Sequence, residues 1–191
     1  TPTGDAAGLC AVMKQLALTL CGEGGAAPDA ITSIGIGVPG SFDKATCTLK
    51  FGTNLGMSNV CFADAFRPEF GCTVQLDNDA NCAALGEATA GAAKNARSML
   101  MVTLGTGVGG GIIIDGKLYT GCNGIAGELG HIVIRRDGEP CNCGRKGCLE
   151  AYASAASFVK FAERALAAGR ESMLQENAGH HVGAGTARPR G

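Results

Sequence analysis

The sequence predicts an α/β fold, on three observations. Short apolar runs of strand length end in turn residues: 31–38 (ITSIGIGV) before Pro39-Gly40, 73–76 (TVQL) before Asp77-Asn78-Asp79, and 99–104 (MLMVTL) before Gly105-Thr106-Gly107. Segments of helical apolar spacing or high alanine content fall between and after them. Glycine supplies 31 of the 191 residues, about 16% and roughly twice the usual share, gathered at a few points, as tight turns and close backbone approaches to a ligand require.

In chain order, residues 5–21 (DAAGLCAVMKQLALTLC) carry apolar side chains at helical spacing, with Gly22 placed as a C-terminal stop. A loop leads into the strand at 31–38. Residues 41–59 read as turn-rich and irregular. A short helix is expected at 62–70, ended by Gly71, then the strand at 73–76 and an alanine-rich helix at 80–93. A second group of elements opens near Ser98, with strands at 99–104 and 109–114, a hairpin turn at Asp115-Gly116 and a return at 117–119. A short strand is expected at 131–135, the cysteine cluster occupies 137–148, and a long amphipathic helix covers 149–168. The expected organisation is a partial small domain at 1–95, a partial larger domain at 96–178, and a patternless tail, GHHVGAGTARPRG, at 179–191.

Bulk properties exclude some functions. The formal net charge is −1 and basic residues never run beyond two in a row, which argues against nucleic-acid binding. The longest unbroken apolar run covers residues 9–13, far short of a membrane span. Seven of the ten cysteines (Cys10, Cys21, Cys47, Cys61, Cys72, Cys82, Cys122) are scattered through apolar patterns. They read as reduced, mostly buried thiols, which implies a reducing, cytoplasmic setting.

The other three cluster. The spacing His131-x9-Cys141-x-Cys143-x4-Cys148 supplies one imidazole and three thiols, a common structural zinc set. Gly138, Gly144 and Gly147 lie where the chain must fold sharply to converge on one ion. With four protein ligands the ion has no open position, so its expected role is structural. Glu128 lies three residues before His131 and Glu150 two after Cys148. Two carboxylates fixed near one spot suit a polyhydroxylated ligand, and the ring nitrogen of His131 that does not face the metal can serve a hydroxyl. From spacing alone, Glu128 and Glu150 read equally as solvated charges, and Glu150 as a first-turn helix acid.

Asp77-Asn78-Asp79 sits between a strand and a helix, where sites form in open α/β sheets. An Asp there can accept the proton of a hydroxyl attacking phosphorus; Asn78 or Asp79 can equally be a helix N-cap. The run LGTGVGGG at 104–111 can cradle phosphate on backbone N–H groups, with Thr106 adding a hydroxyl. No Gly-Lys-Ser/Thr follows it, and a strand follows in place of a helix, so it is neither a Walker A loop nor a dinucleotide fingerprint.

In order, the chain shows GIGVPG at 35–40, LDNDANCAALGE at 76–87, LGTGVGGGIIIDGKLYTG at 104–121, GIAGELGH at 124–131 and CNCGRKGCLEAYAS at 141–154. Together these closely resemble the ROK family of repressors, open reading frames and kinases, and within it bacterial glucokinases, over roughly residues 5–170. The resemblance implies the actin-like, RNase H-related fold of two α/β domains around a cleft, incomplete here. It implies transfer of the ATP γ-phosphate, with Mg²⁺, to the 6-hydroxyl of a hexose such as glucose. On that resemblance Asp79 matches the general base, and Asn78, Glu128, His131, Glu150 and Asn54 match sugar contacts. Gly105, Thr106 and Gly107 match a phosphate loop, and His131, Cys141, Cys143 and Cys148 match the zinc ligands.

The family's opening glycine-rich phosphate loop and its later helices have no counterpart in these residues, so a fragment with weak or no kinase activity is expected. A homo-oligomer is expected of the full-length protein, with hexose and ATP as partners and no nucleic acid. The competing expectations are a sugar-responsive transcriptional repressor of the same family and a non-catalytic sugar- and zinc-binding fragment.

Overall fold

The computed structural model describes residues 3–52, 55–170, 172 and 173 of the chain. The tail expected at 179–191, like Asn54, lies outside the described residues. The chain divides into two compact units: Thr1–Thr103 with Gly109–Leu129, and Leu104–Val108 with Gly130–Gly191.

The first unit opens with α1 (Ala6–Glu23), whose N-cap Asp5 accepts a hydrogen bond from the Gly8 amide at 2.8 Å. Gly22 lies inside this helix, which runs on to a cap at Gly24. Strands β1 (Ser33–Val38) and β5 (Thr73–Asn78) pair in parallel, from Ser33 opposite Thr73 to Val38 opposite Asn78. Between them in sequence lie β2 (Ser41–Asp43), β3 (Thr48–Gly52) and β4 (Met57–Cys61), an antiparallel three-stranded sheet. The stretch 41–59, which reads as irregular, thus contributes three strands of one sheet among its described residues. Its strands have three to five residues, with polar side chains interspersed, too short to develop a period of two.

Helix α2 (Phe62–Phe70) follows, ended as expected by Gly71 in the left-handed conformation with φ 59°. Its Phe62, Phe66 and Phe70 are almost fully buried. They pack in one core with Leu49, Val60, Val74, Leu76, Ile36 and Val38, so α2 joins the faces of both sheets. Helix α3 (Asp79–Thr89) starts directly after β5.

Strands β6 (Met99–Leu104), β7 (Val108–Ile114) and β8 (Lys117–Leu118) form a sheet in that order. The β7–β8 link is the expected hairpin turn, with Asp115 and Gly116 both at positive φ (51° and 74°). The three glycines of β7 have a packing reason. A Cβ on Gly109 would lie 2.9 Å from the Ala80 methyl, and one on Gly111 would overlap the methyl of Ala84, both on α3; one on Gly110 would lie 2.5 Å from the Gly127 carbonyl oxygen. The sheet and helix thus touch backbone to side chain, which no larger residue permits.

The second unit has little regular structure before its helices. His131 ends a 3₁₀ turn, and of the strand expected at 131–135 only Val133 remains, in an isolated bridge to Cys148. Here the backbone bonds to the cysteine loop and not to a sheet: the Ile134 amide donates to the Gly147 carbonyl at 2.8 Å and the Leu149 amide to that of Ile132 at 2.9 Å. The helix expected at 149–168 is two, α4 (Glu150–Ala153) and α5 (Ala155–Ala167), broken at Ser154 with φ −75° and ψ 156°. A serine can interrupt a helix by capping the next one, and the Ser154 hydroxyl accepts from the Ser157 amide.

Five of the seven scattered cysteines are buried or half-buried, while Cys82 and Cys122 are exposed. Among the described residues no helix is long and apolar enough to cross a membrane.

The β7–α3 contact is testable by substitution. Gly111→Ala, whose new methyl meets Ala84, should cost about 2 kcal/mol and lower Tm by roughly 4–8 °C. Gly86→Ala, in α3 with nothing within 4 Å, should instead stabilise by about 0.5–1 kcal/mol. Equal effects of the two in thermal unfolding would overturn this account of the glycines.

Candidate functional site

The cysteine loop is a hairpin folded on itself. The Cys141 amide donates to the Arg145 carbonyl and the Gly144 amide to that of Cys141, while Pro140 and Lys146 form a bridge. Asp137, Gly144 and Gly147 all take positive φ, at 53°, 87° and 79°. Gly147 has no alternative, since a Cβ there would overlap the Arg135 carbonyl.

The loop is braced from behind by the helices. The Tyr152 hydroxyl accepts from the Glu139 amide at 2.8 Å and occupies the space that a side chain at Gly138 would need. The Glu139 carboxylate takes Arg164 at 2.7 Å and Lys160 at 3.0 Å, and these two bonds hold its pKa below the ordinary value.

These supports bring His131, Cys141, Cys143 and Cys148 together, with one ligand atom from each lying within 4.8 Å of the others. The Cys143 and Cys148 sulfurs are 3.7 Å apart, and the Cys141 sulfur is 3.7 Å from Nδ1 of His131. In a regular tetrahedron with metal–sulfur bonds of about 2.3 Å, two sulfurs lie about 3.8 Å apart. Donor types and spacing therefore fit a tetrahedral divalent ion such as zinc. The thiols are poised unequally. Hydrogen bonds from Arg145 pull the Cys143 pKa down to about 6, burial pushes Cys141 up to about 12, and burial also raises Cys148.

Glu150, the first residue of α4, links this cluster to the glycine loop. Its Oε1 lies 3.8 Å from the Cys141 sulfur and its Oε2 accepts from the Val108 amide at 3.0 Å. The carboxylate lies where a Cβ on Gly107 would be. A hollow of about 150 Å³ opens here, with Thr106, Cys141, Asn142, Glu150, Ser157 and Lys160 in its wall. Within this unit, then, two of the sequence-predicted groups meet: the four metal donors, and Glu150 beside Gly105-Thr106-Gly107.

In the first unit, Asp77, Asn78 and Asp79 stand at the carboxyl ends of β1 and β5. Asn78 is the helix cap, its Oδ1 accepting from the Asn81 amide at 3.0 Å, and Asp79 is an exposed first-turn residue. Gly37 of β1 lies beside this turn, where a Cβ would be in ordinary contact with Cα of Asp79 at 3.4 Å. Asp77, named in the sequence with its two neighbours but given no separate role, is the network's centre: it bonds Lys44 at 2.5 Å and accepts from the Asn78 amide and the Asn81 side chain. Glu128, in the same unit, is exposed. Tyr152, Ser154 and Ser157 were also missed, because hydroxyls without a spacing rule carry no local signal.

The chain matches the ROK family over residues 13–183. It is 45% identical over 145 residues to a glucokinase of Halalkalibacterium halodurans, covering 75% of this chain and 44% of that protein. It is 38% identical over 144 residues to a xylose repressor of Caldicellulosiruptor bescii, covering 75% of this chain and 36% of that one. A ROK family glucokinase from Streptomyces griseus, solved in complex with glucose and AMPPNP, superposes with a TM-score of 0.67 and 35% identity, covering 93% of this chain and 53% of that one. The chain thus spans about half the length of these relatives or less, and its fold class is the actin-like α/β class expected from the sequence. With the match extending over most of its residues, this chain belongs to the ROK family.

Proposed function

We propose that this chain is part of an ATP-dependent hexose kinase acting on the 6-hydroxyl of glucose, with a structural zinc ion held by His131, Cys141, Cys143 and Cys148. The observation that carries the reading is the meeting, in one unit, of a closed four-donor metal set with Glu150 and the 105–107 loop. The 45% identity to a glucokinase supports it. In this reading residues 1–95 belong to the smaller domain and 96–178 to the larger.

Each residue then has a task. Gly105, Thr106 and Gly107 hold phosphate of ATP, which arrives with Mg²⁺. Asn54, Asn78, Glu128, His131 and Glu150 hold sugar hydroxyls. His131 turns Nδ1 toward Cys141, so Nε2 is the ring nitrogen that a hydroxyl meets. Glu150 gives Oε2 to Val108 and turns Oε1 toward Cys141; each oxygen has more than one lone pair, so a hydroxyl can still be accepted. Asp79 accepts the proton of the attacking hydroxyl. Little covalent chemistry is asked of the protein, because phosphoryl transfer is won by positioning and electrostatics. Four protein ligands leave the zinc no open position, so it contributes by fixing the loop.

The second reading, a sugar-responsive repressor, is favoured by the 38% identity to a xylose repressor. The two separate on what the protein does with its sugar. A kinase converts glucose and ATP to a sugar phosphate and ADP. A repressor binds operator DNA and is released by sugar, without phosphoryl transfer.

Two outcomes are expected. Asp79→Asn should lower kcat of glucose phosphorylation by about 10²- to 10⁴-fold and leave the glucose Kd within a few-fold; a variant that keeps near-full turnover would remove Asp79 from the chemistry. Metal analysis should find one zinc per chain, lost in Cys148→Ser. Because Cys141 and Cys148 are held protonated and Cys143 is not, zinc loading near pH 7.5 should release about two protons, seen by calorimetry in buffers of different ionisation enthalpy. The sign follows: affinity rises with pH, and a pH-independent affinity would exclude thiolate ligation.

A further inference from the structure

The break between α4 and α5 is not an accident of helix propensity, because the residue that makes it is tied into a buried network. Ser154 is 2% exposed and Ser157 9%. Their hydroxyls are 2.9 Å apart, the Ser157 amide donates to the Ser154 hydroxyl at 3.1 Å, and the Ser157 hydroxyl donates to the Glu150 carbonyl at 2.9 Å. In an unbroken helix the Ala155 amide would donate to the carbonyl of Ala151. With Ser154 extended, Ala155 becomes the first residue of α5, and its N–H is one of the four that a helix start leaves unpaired. That N–H donates to the Gly105 carbonyl at 2.8 Å.

The same short segment therefore grips the glycine loop at both ends. Ala155 holds Gly105, and the Glu150 carboxylate holds Val108. Between these grips the loop tightens on itself, with the Gly105 amide donating to the Gly107 carbonyl at 3.0 Å. The network also fixes the backbone of Glu150, whose carbonyl takes the Ser157 hydroxyl and whose side chain makes one of the two grips.

We propose that the Ser154 break is a positioning device for nucleotide phosphate: Ser154, Ala155 and Glu150 act together to set the loop 105–107 in the conformation that receives it. The inference rests on the reading of that loop as phosphate-binding. None of the three need touch the nucleotide. They act through the loop, as supports that hold a binding constellation rigid. Because α4 begins two residues after Cys148, the device is also anchored at the metal loop.

Ala155→Pro is the sharpest test. It deletes the N–H that holds Gly105, proline is favoured at the first position of a helix, and the φ and ψ of Ser154 are those of a residue preceding proline. Ala155 is exposed, so the outer part of the ring meets solvent, while its Cδ takes the place of the N–H and forces the Gly105 carbonyl, now 2.8 Å from that nitrogen, to withdraw. Circular dichroism and zinc content should match wild type. Amide exchange at 105–108 should speed up, and the MgATP needed to shift the amide resonances of 105–107 should rise about fivefold, the worth of one hydrogen bond. Glucose binding should stay within twofold. Ser154→Ala should act in the same direction, and Ser154→Thr, which keeps a capping hydroxyl, should restore the loop. If MgATP shifts the wild-type loop and Ala155→Pro changes neither exchange nor affinity, the proposal fails and the phosphate-loop reading stands. If MgATP leaves the wild-type loop untouched, that reading fails and takes the proposal with it.

Discussion

The convergence of one imidazole and three thiols within 4.8 Å is the constraint on which the second unit depends. The segment 131–148 has no regular element beyond a 3₁₀ turn, and its core residues are two of the four converging donors, Cys141 and Cys148. Hydrophobic burial cannot hold such a loop in one conformation, and a metal cross-link can. The backbone shows what convergence demands: three residues at positive φ, a glycine under a carbonyl, and a tyrosine hydroxyl in place of a side chain at 138. The ion pairs of Glu139 with Lys160 and Arg164 fasten the loop to α5.

From that anchor a line of named contacts runs outward. Cys148 leads into α4, Glu150 opens α4, and its carboxylate stands between the Cys141 sulfur and the Val108 amide. A group at this position serves the cysteine loop and the glycine loop at once. It is a single side chain through which the geometry of one reaches the other, within one unit of the fold.

The glycine-rich run illustrates how one sequence feature can conceal two physical causes. Gly105 and Gly107 belong to the loop that Glu150 and Ala155 hold. Gly109, Gly110 and Gly111 belong to a strand pressed against α3 on one side and residues 127–129 on the other. Read as letters, LGTGVGGG is a single motif. Its second half answers to packing density and its first to the loop's geometry.

The sequence by itself determined whatever depends on near neighbours. Helical spacing placed α1, the stretch ending at Gly71 placed α2, Asp-Gly set the β7–β8 turn, and the His-Cys-Cys-Cys spacing picked out four residues that do meet. Ligand chemistry tolerates few residue types, so its pattern survives in one dimension. Tertiary structure decided what depends on a distant partner. The sheet β2–β3–β4 exists because its short strands find one another. Asp77 matters because Lys44, 33 residues away, reaches it, and Tyr152 because the Glu139 amide comes to its hydroxyl. The helix breaks at Ser154, where a carbonyl of Gly105 takes the freed N–H. A serine inside a helical pattern has several hydrogen-bonding choices of similar energy, and only the folded surroundings select one.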